Sequence, residues 1–272
     1  MLRRKDIGEA DRVLTLFTPG RGKIRAIAKG IRKPRSRKAG HLELFTRAKL
    51  LLATGRDLDH VTQAEMVEAY RPLREDLLRS AYAAYMVELL DRFTPDEEEN
   101  EALYDLLSQG LAWSSGAGEG AAEGSAVGEA GALSLAARYF ELHLLSMAGY
   151  QPQLQRCLMC GQALKPEDQF FSPGEGGVIC PRCAAAAAKA PPGRTPQRVG
   201  LTPVSLNALK VLRYIQSNTY DKVAALNVSA RTQGEVEYLL ARYITILLER
   251  QLKSVEFLKL IRREEAQTPT LA

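Results

Sequence analysis

Lys23-Ile24-Arg25-Ala26-Ile27-Ala28-Lys29 carries side chains that alternate at a period of two. Ile24, Ala26 and Ala28 fall on one face, and Lys23, Arg25 and Lys29 on the other. That pattern predicts a half-buried strand whose outer surface is cationic. Working outward, Val13, Leu14, Leu16 and Phe17 form a second β-rich run. The turn residues Pro19-Gly20-Arg21-Gly22 join the two as a hairpin. Beyond Gly30, residues 31–40 hold Arg32, Lys33, Arg35, Arg37 and Lys38 among Pro34, Ser36 and Gly40, with almost nothing apolar. This predicts a mobile basic loop. Two more strands are expected near 42–53 and 58–69.

After Pro72 the period changes. Leu78, Tyr82, Tyr85, Leu89 and Phe93 recur on one helical face. Further helices are expected near 100–113, 133–148, 203–217 and 233–250, the last with Val236, Leu240, Tyr243 and Leu247 on one face. Residues 114–131 are mostly Gly, Ala, Ser and Glu and read as a flexible loop, and 186–200 as a second connector. The fold class is therefore α+β. An antiparallel β domain at 1–70 precedes a helical domain at 71–272. Five or fewer strands in about 65 residues suggest a small barrel, with the OB-fold as the natural candidate.

Cys157-Leu158-Met159-Cys160 and Cys180-Pro181-Arg182-Cys183 use all four cysteines of the chain. Two CxxC pairs at this separation fit a tetrahedral zinc site. A knuckle at 155–186, inserted in the helical domain, would hold one structural Zn²⁺, because four thiolates leave no open position. Gly161 supplies the permissive backbone that such a turn needs. Composition is otherwise that of a globular cytoplasmic protein, with no secretory leader and no apolar run long enough for a membrane.

Charge is unevenly distributed. Residues 1–50 contain 15 Lys or Arg and 4 Asp or Glu, a local net of +11 in a chain whose total is +5. The remainder is therefore mildly acidic. A polyanion partner follows, with nucleic acid first. The expected phosphate contacts are Arg21, Lys23, Arg25, Lys29, Arg32, Lys33, Arg35, Arg37 and Lys38. Aromatic platforms for stacking are scarce, with Phe17 and Phe45 the only two in residues 1–69. Affinity is accordingly expected to be mostly ionic and similar for single and double strands.

Nothing reads as catalytic. His41-Leu42-Glu43 matches the H-x-E of zinc deaminases, but Arg156 and Ile179 stand where the partner motif needs proline. Pro19-Gly20-Arg21-Gly22-Lys23 lacks the Ser/Thr of a phosphate-binding loop. A zinc-ribbon RNA-binding or transcription factor is the alternative reading. Against it, Lys165 and Arg182 are the only basic residues between Cys157 and Cys183.

Gly8-Glu9-Ala10-Asp11-Arg12, Leu16-Phe17-Thr18, Gly22-Lys23, Ala28-Lys29-Gly30 and Arg32-Lys33 occur in an order that closely resembles the RecO family of bacterial recombination mediators. Arg47 to Leu52, Gln63-Ala64-Glu65, the four-cysteine knuckle and Leu252-Lys253-Ser254 extend the resemblance over nearly the whole chain. It implies an OB-fold followed by a helical domain carrying a zinc knuckle. It also implies a non-enzymatic, nucleoid-associated role: binding single- and double-stranded DNA, annealing complementary strands and helping RecA replace the single-strand-binding protein SSB. The implied partners are RecR and the C-terminal tail of SSB, with no membrane.

Overall fold

Two-residue alternation gives a sheet that is apolar on its inner face. The computed structural model of the chain describes residues 1–116, 128–189 and 200–267. Strands β1 (Arg3–Ile7), β2 (Asp11–Thr18), β3 (Gly22–Ala28), β4 (Arg47–Ala53) and β5 (Asp59–Glu68) form one sheet in the order β1-β2-β3-β5-β4. Neighbours are antiparallel except β3 and β5, which pair in parallel through Ala26↔Asp59 and Ile27↔His60. Register places Leu16 opposite Ile24 and Leu14 opposite Ala26. These four pack with Ala28, Ile31, Leu42 and Val61 in a buried cluster, as the alternation of residues 23–29 predicts.

Ring closure of this sheet is not seen among the described residues; β1 and β4 remain its edges. Met1 links the two sides, its carbonyl accepting from Phe45 N–H at 3.4 Å and its ammonium donating to the Thr46 carbonyl at 3.1 Å, and Arg4 of β1 pairs with Glu43. The strand expected from residue 42 begins only at Arg47. Residues Ala39–His41 form a 3₁₀ turn, and Phe45 takes a left-handed backbone with φ 66°.

The sheet shares its unit, Met1–Gly118 with Lys253–Ala272, with four helices. These are α1 (Pro72–Glu75), α2 (Leu77–Phe93), α3 (Glu101–Ser115) and, from the far end of the sequence, α9 (Lys253–Gln267). Asp76 accepts from Arg79 N–H and Asn100 from Leu103 N–H, capping α2 and α3. Leu78, Tyr82, Tyr85 and Leu89 are buried as their spacing predicts, and Phe93 is half-buried. Ala81, Ala83, Met86, Val87 and Leu90 are buried too, because α2 lies between neighbours, α3 and α9 among them.

The second unit is Glu119–Leu252. It holds α4 (Gly128–Met147), β6 (Gln169–Ser172), β7 (Gly177–Ile179), α5 (Pro181–Lys189), β8 (Thr202–Val204), α6 (Leu206–Ser217), α7 (Tyr220–Ala224) and α8 (Ala230–Leu248). α4 packs against α6, α7 and α8, while β7-β6-β8 forms a small sheet. The loop expected at 114–131 is shorter than its composition suggested. Ser114 and Ser115 belong to α3 and 128–131 to α4, since Ala and Glu are also good helix formers. The rest of that loop, 117–127, lies outside the described residues, as does 190–199 of the second connector, whose first residues, 186–189, belong to α5.

Candidate nucleic-acid interface and metal centre

The nine cations expected to meet phosphate have different fates. Arg25 projects from the outer face of β3, and Lys29, Lys33, Arg35 and Arg37 continue from it along the following turns. All five are exposed, and none has a carboxylate partner among the described residues. Their chain segment is anchored from below. Ile31 is buried in the sheet core, Arg32 N–H donates to the Ala10 carbonyl, and Gly30 N–H donates to Asp11 at 2.7 Å. Lys38 Nζ donates to the Val61 carbonyl at 2.8 Å, so this cation shapes the loop. Arg32 lies 3.4 Å from Asp6, and Arg21 lies 2.7 Å from Asp59.

Lys23 is withdrawn altogether. Its side chain is only 10% exposed, and Nζ donates to the carbonyls of Asp91 and Thr94, each at 2.8 Å. It also lies 3.4 Å from Asp91 Oδ1 and 3.3 Å from Asp96 Oδ1. Arg3 approaches the other side of the buried Asp91 carboxylate at 3.1 Å. The last turn of an α-helix leaves carbonyls without internal donors and carries the negative end of the dipole. The ammonium supplies what the end of α2 lacks, and Lys23 is a structural residue. Gly22 beside it admits the close approach: a Cβ there would lie 1.8 Å from the Glu98 carbonyl oxygen.

Sequence reasoning passed over Arg47 and Lys49. Both lie on the exposed side of β4, where burial alternates along the strand. Their period-two placement was the available signal.

The four cysteines converge. Their sulfurs all lie within 4.8 Å of one another, and Cys160 Sγ is 4.0 Å from Cys180 Sγ. A tetrahedral Zn–S₄ site with bonds of about 2.3 Å has sulfurs roughly 3.8 Å apart, so the cage fits that ion with little adjustment. The first CxxC turn is closed by Gly161 N–H donating to the Cys157 carbonyl, with Gly161 at φ 70°. Burial opposes ionisation of Cys157, but the N–H groups of Cys180, Cys160 and Met159 prevail and bring its thiol down to about 6. Cys183 is pushed up to about 12, first by burial and then by the three neighbouring sulfurs. The strands β6 and β7 between the pairs fold the chain back, which cysteine spacing alone left unspecified.

Residues 1–70 match the family described as "Recombination protein O N terminal", and residues 74–256 match "Recombination protein O C terminal". A sheet carrying a cationic surface, followed by helices and a thiol cluster, is thus the architecture of a recombination and repair protein. The chain is 40% identical over 264 residues to the DNA repair protein RecO of Roseiflexus sp. (strain RS-1), covering 97% of this chain and 84% of that protein. It is 36% identical over 263 residues to RecO of Dehalococcoides mccartyi (strain ATCC BAA-2266 / KCTC 15142 / 195), covering 97% and 94%. Against RecO of Pelotomaculum thermopropionicum it is 38% identical over 260 residues, covering 95% and 91%. The chain belongs to the RecO family of DNA repair and recombination proteins, whose role is non-enzymatic. No helix among the described residues is long and apolar enough to cross a membrane.

Proposed function

We propose that this chain is a recombination mediator that binds single- and double-stranded DNA, anneals complementary strands and assists RecA in loading onto SSB-coated DNA. RecR and the C-terminal tail of SSB are its protein partners. The observation that carries the reading is the run of exposed cations Arg25, Lys29, Lys33, Arg35 and Arg37, without a carboxylate partner among the described residues, on a segment anchored by Ile31 and Lys38. Annealing needs no catalytic group. Contacts to phosphate reduce repulsion between two polyanions and leave base edges free to pair.

Residues 1–70 would act as the DNA-binding domain, of OB type. The strand order β1-β2-β3-β5-β4 with its parallel β3–β5 pairing supports that reading. Residues 71–272 would form the helical domain, with the 155–186 knuckle holding one structural Zn²⁺ on Cys157, Cys160, Cys180 and Cys183. The ion would tie two turns together and present no open coordination position. Annealing of SSB-coated complementary strands tests the function. The triple variant Lys33→Ala/Arg35→Ala/Arg37→Ala is expected to lose it while melting like the parent protein. Full annealing by that variant would refute the reading.

A further inference from the structure

A cavity of about 250 Å³ lies against the sheet, lined by Met1 and Leu2 ahead of β1 and by Ala48, Leu50 and Leu52 of β4. The wall includes Phe17 from β2, Phe45 from the approach to β4, Tyr70 from the chain before α1, and Tyr104 from α3. Leu50, Leu52 and Leu107 contribute to its apolar part. The aromatic side chains that are scarce in the sequence of the sheet are therefore concentrated at one place, and Tyr70 and Tyr104 add two more. Phe45 and Tyr70 reach it from left-handed backbone, at φ 66° and 41°. Such conformations are unfavourable for large residues and cluster at ligand clamps.

We propose that this cavity receives one unstacked base of a single strand whose phosphates lie on the basic loop. The proposal rests on the DNA-binding reading above and adds a single-strand preference to it. Size favours this occupant: pockets for drug-sized ligands run to about 300–1,000 Å³, and this smaller space suits one planar ring system. Chemistry favours it as well, because bases taken out of a stack are held between aromatic and apolar side chains with polar groups at their edges. His41 lines the cavity, and its Nδ1 accepts from Met66 N–H at 3.2 Å, which leaves the proton on Nε2 as a donor. Tyr104 and Ser108 are only half-buried, so this wall is reachable from solvent. One cation belongs to the site itself: exposed Arg47 is part of the lining. A duplex keeps its bases stacked and would meet the loop alone.

The test compares equilibrium binding of the full chain to a single-stranded oligonucleotide of about 20 nucleotides and to its duplex. Leu107→Trp fills the cavity, and Tyr104→Ala removes a half-buried ring. Each is expected to weaken single-strand binding about tenfold, within the range for one stacked base, while duplex affinity changes less than about twofold. Should Leu107→Trp fail to fold, Tyr104→Ala carries the test alone. A folded variant that leaves the single-strand to duplex ratio unchanged overturns the base site. The loop triple variant separates the two claims. If it weakens both ligands while the cavity variants change nothing, the phosphate reading stands and the base site falls. If the loop variant changes nothing and the cavity variants weaken the single strand, the reverse holds.

Discussion

Lys23 and Arg25 are two residues apart on β3 and serve opposite ends. Arg25 faces solvent, whereas Lys23 neutralises the end of α2 through two carbonyls and the Asp91 carboxylate. Removing one partner of a buried charged network leaves the other without compensation. Lys23→Ala is therefore expected to lower unfolding stability by about 2–4 kcal/mol in urea titration. Arg35→Ala should leave stability within about 0.5 kcal/mol of the parent. DNA binding should respond the other way, with the folded Lys23 variant retaining its affinity and the Arg35 variant weakened. A Lys23 variant as stable as the parent protein would return that residue to the surface set.

At the scale of elements, α9 is held by a residue distant in sequence. Glu88 on α2 accepts from Ser254 N–H at 2.8 Å and Lys253 N–H at 3.2 Å, and from the Ser254 hydroxyl at 2.6 Å. Its carboxylate thus caps the first turn of α9. Burial raises the carboxyl, but these donors and Arg92 outweigh it and hold it below the ordinary value near 4.5. A depressed folded value means that this stabilisation is fully present above the ordinary carboxylate range and is lost as pH falls through the lowered value. Acidification below about pH 4.5 should loosen α9 before the core of α2, seen as earlier amide exchange in 253–264. Glu88→Ala should produce the same loosening at neutral pH, at a cost of about 1–2 kcal/mol. β3 and β4 alternate in burial as their sequences do, and α2 and α8 bury the faces that their helical spacing marks. α9 escaped that reading, although Leu258 and Ile261 recur at helical spacing and are both buried. Its signal is short and is followed by a run of charged residues. β6 and β7 escaped because they are only four and three residues long.

For the whole molecule, ionic binding and metal binding should be separable. If Arg25, Lys29, Lys33, Arg35 and Arg37 each neutralise one phosphate, the slope of log K against log salt on a single strand should be about −3.5. The loop triple variant should reduce its magnitude by about 2, whatever its effect on affinity at one salt concentration. Metal analysis of the purified chain is expected to return about one zinc per molecule. Cys180→Ser, or strong chelation, should lower the melting temperature of the unit around α4 and the knuckle. Binding of DNA by the sheet should persist in that variant at a temperature where the sheet remains folded. A slope unaffected by the triple variant would move the phosphate contacts elsewhere.

Periodicity and spacing by themselves determined the half-buried β3, the buried faces of α2 and α8, the cationic loop and the pairing of the two CxxC turns. Each of these is local: alternation, helical repeat and short-range turn geometry act within a few residues. Tertiary structure decided what lies against each face. It turned Lys23 inward because the end of a helix, 68 residues on at Asp91, needed a cation. It also brought Phe17, Phe45, Tyr70 and Tyr104 to one cavity from four separate segments. An amphipathic pattern specifies that a face is polar or apolar, but not which distant acceptor, ring or void it will meet.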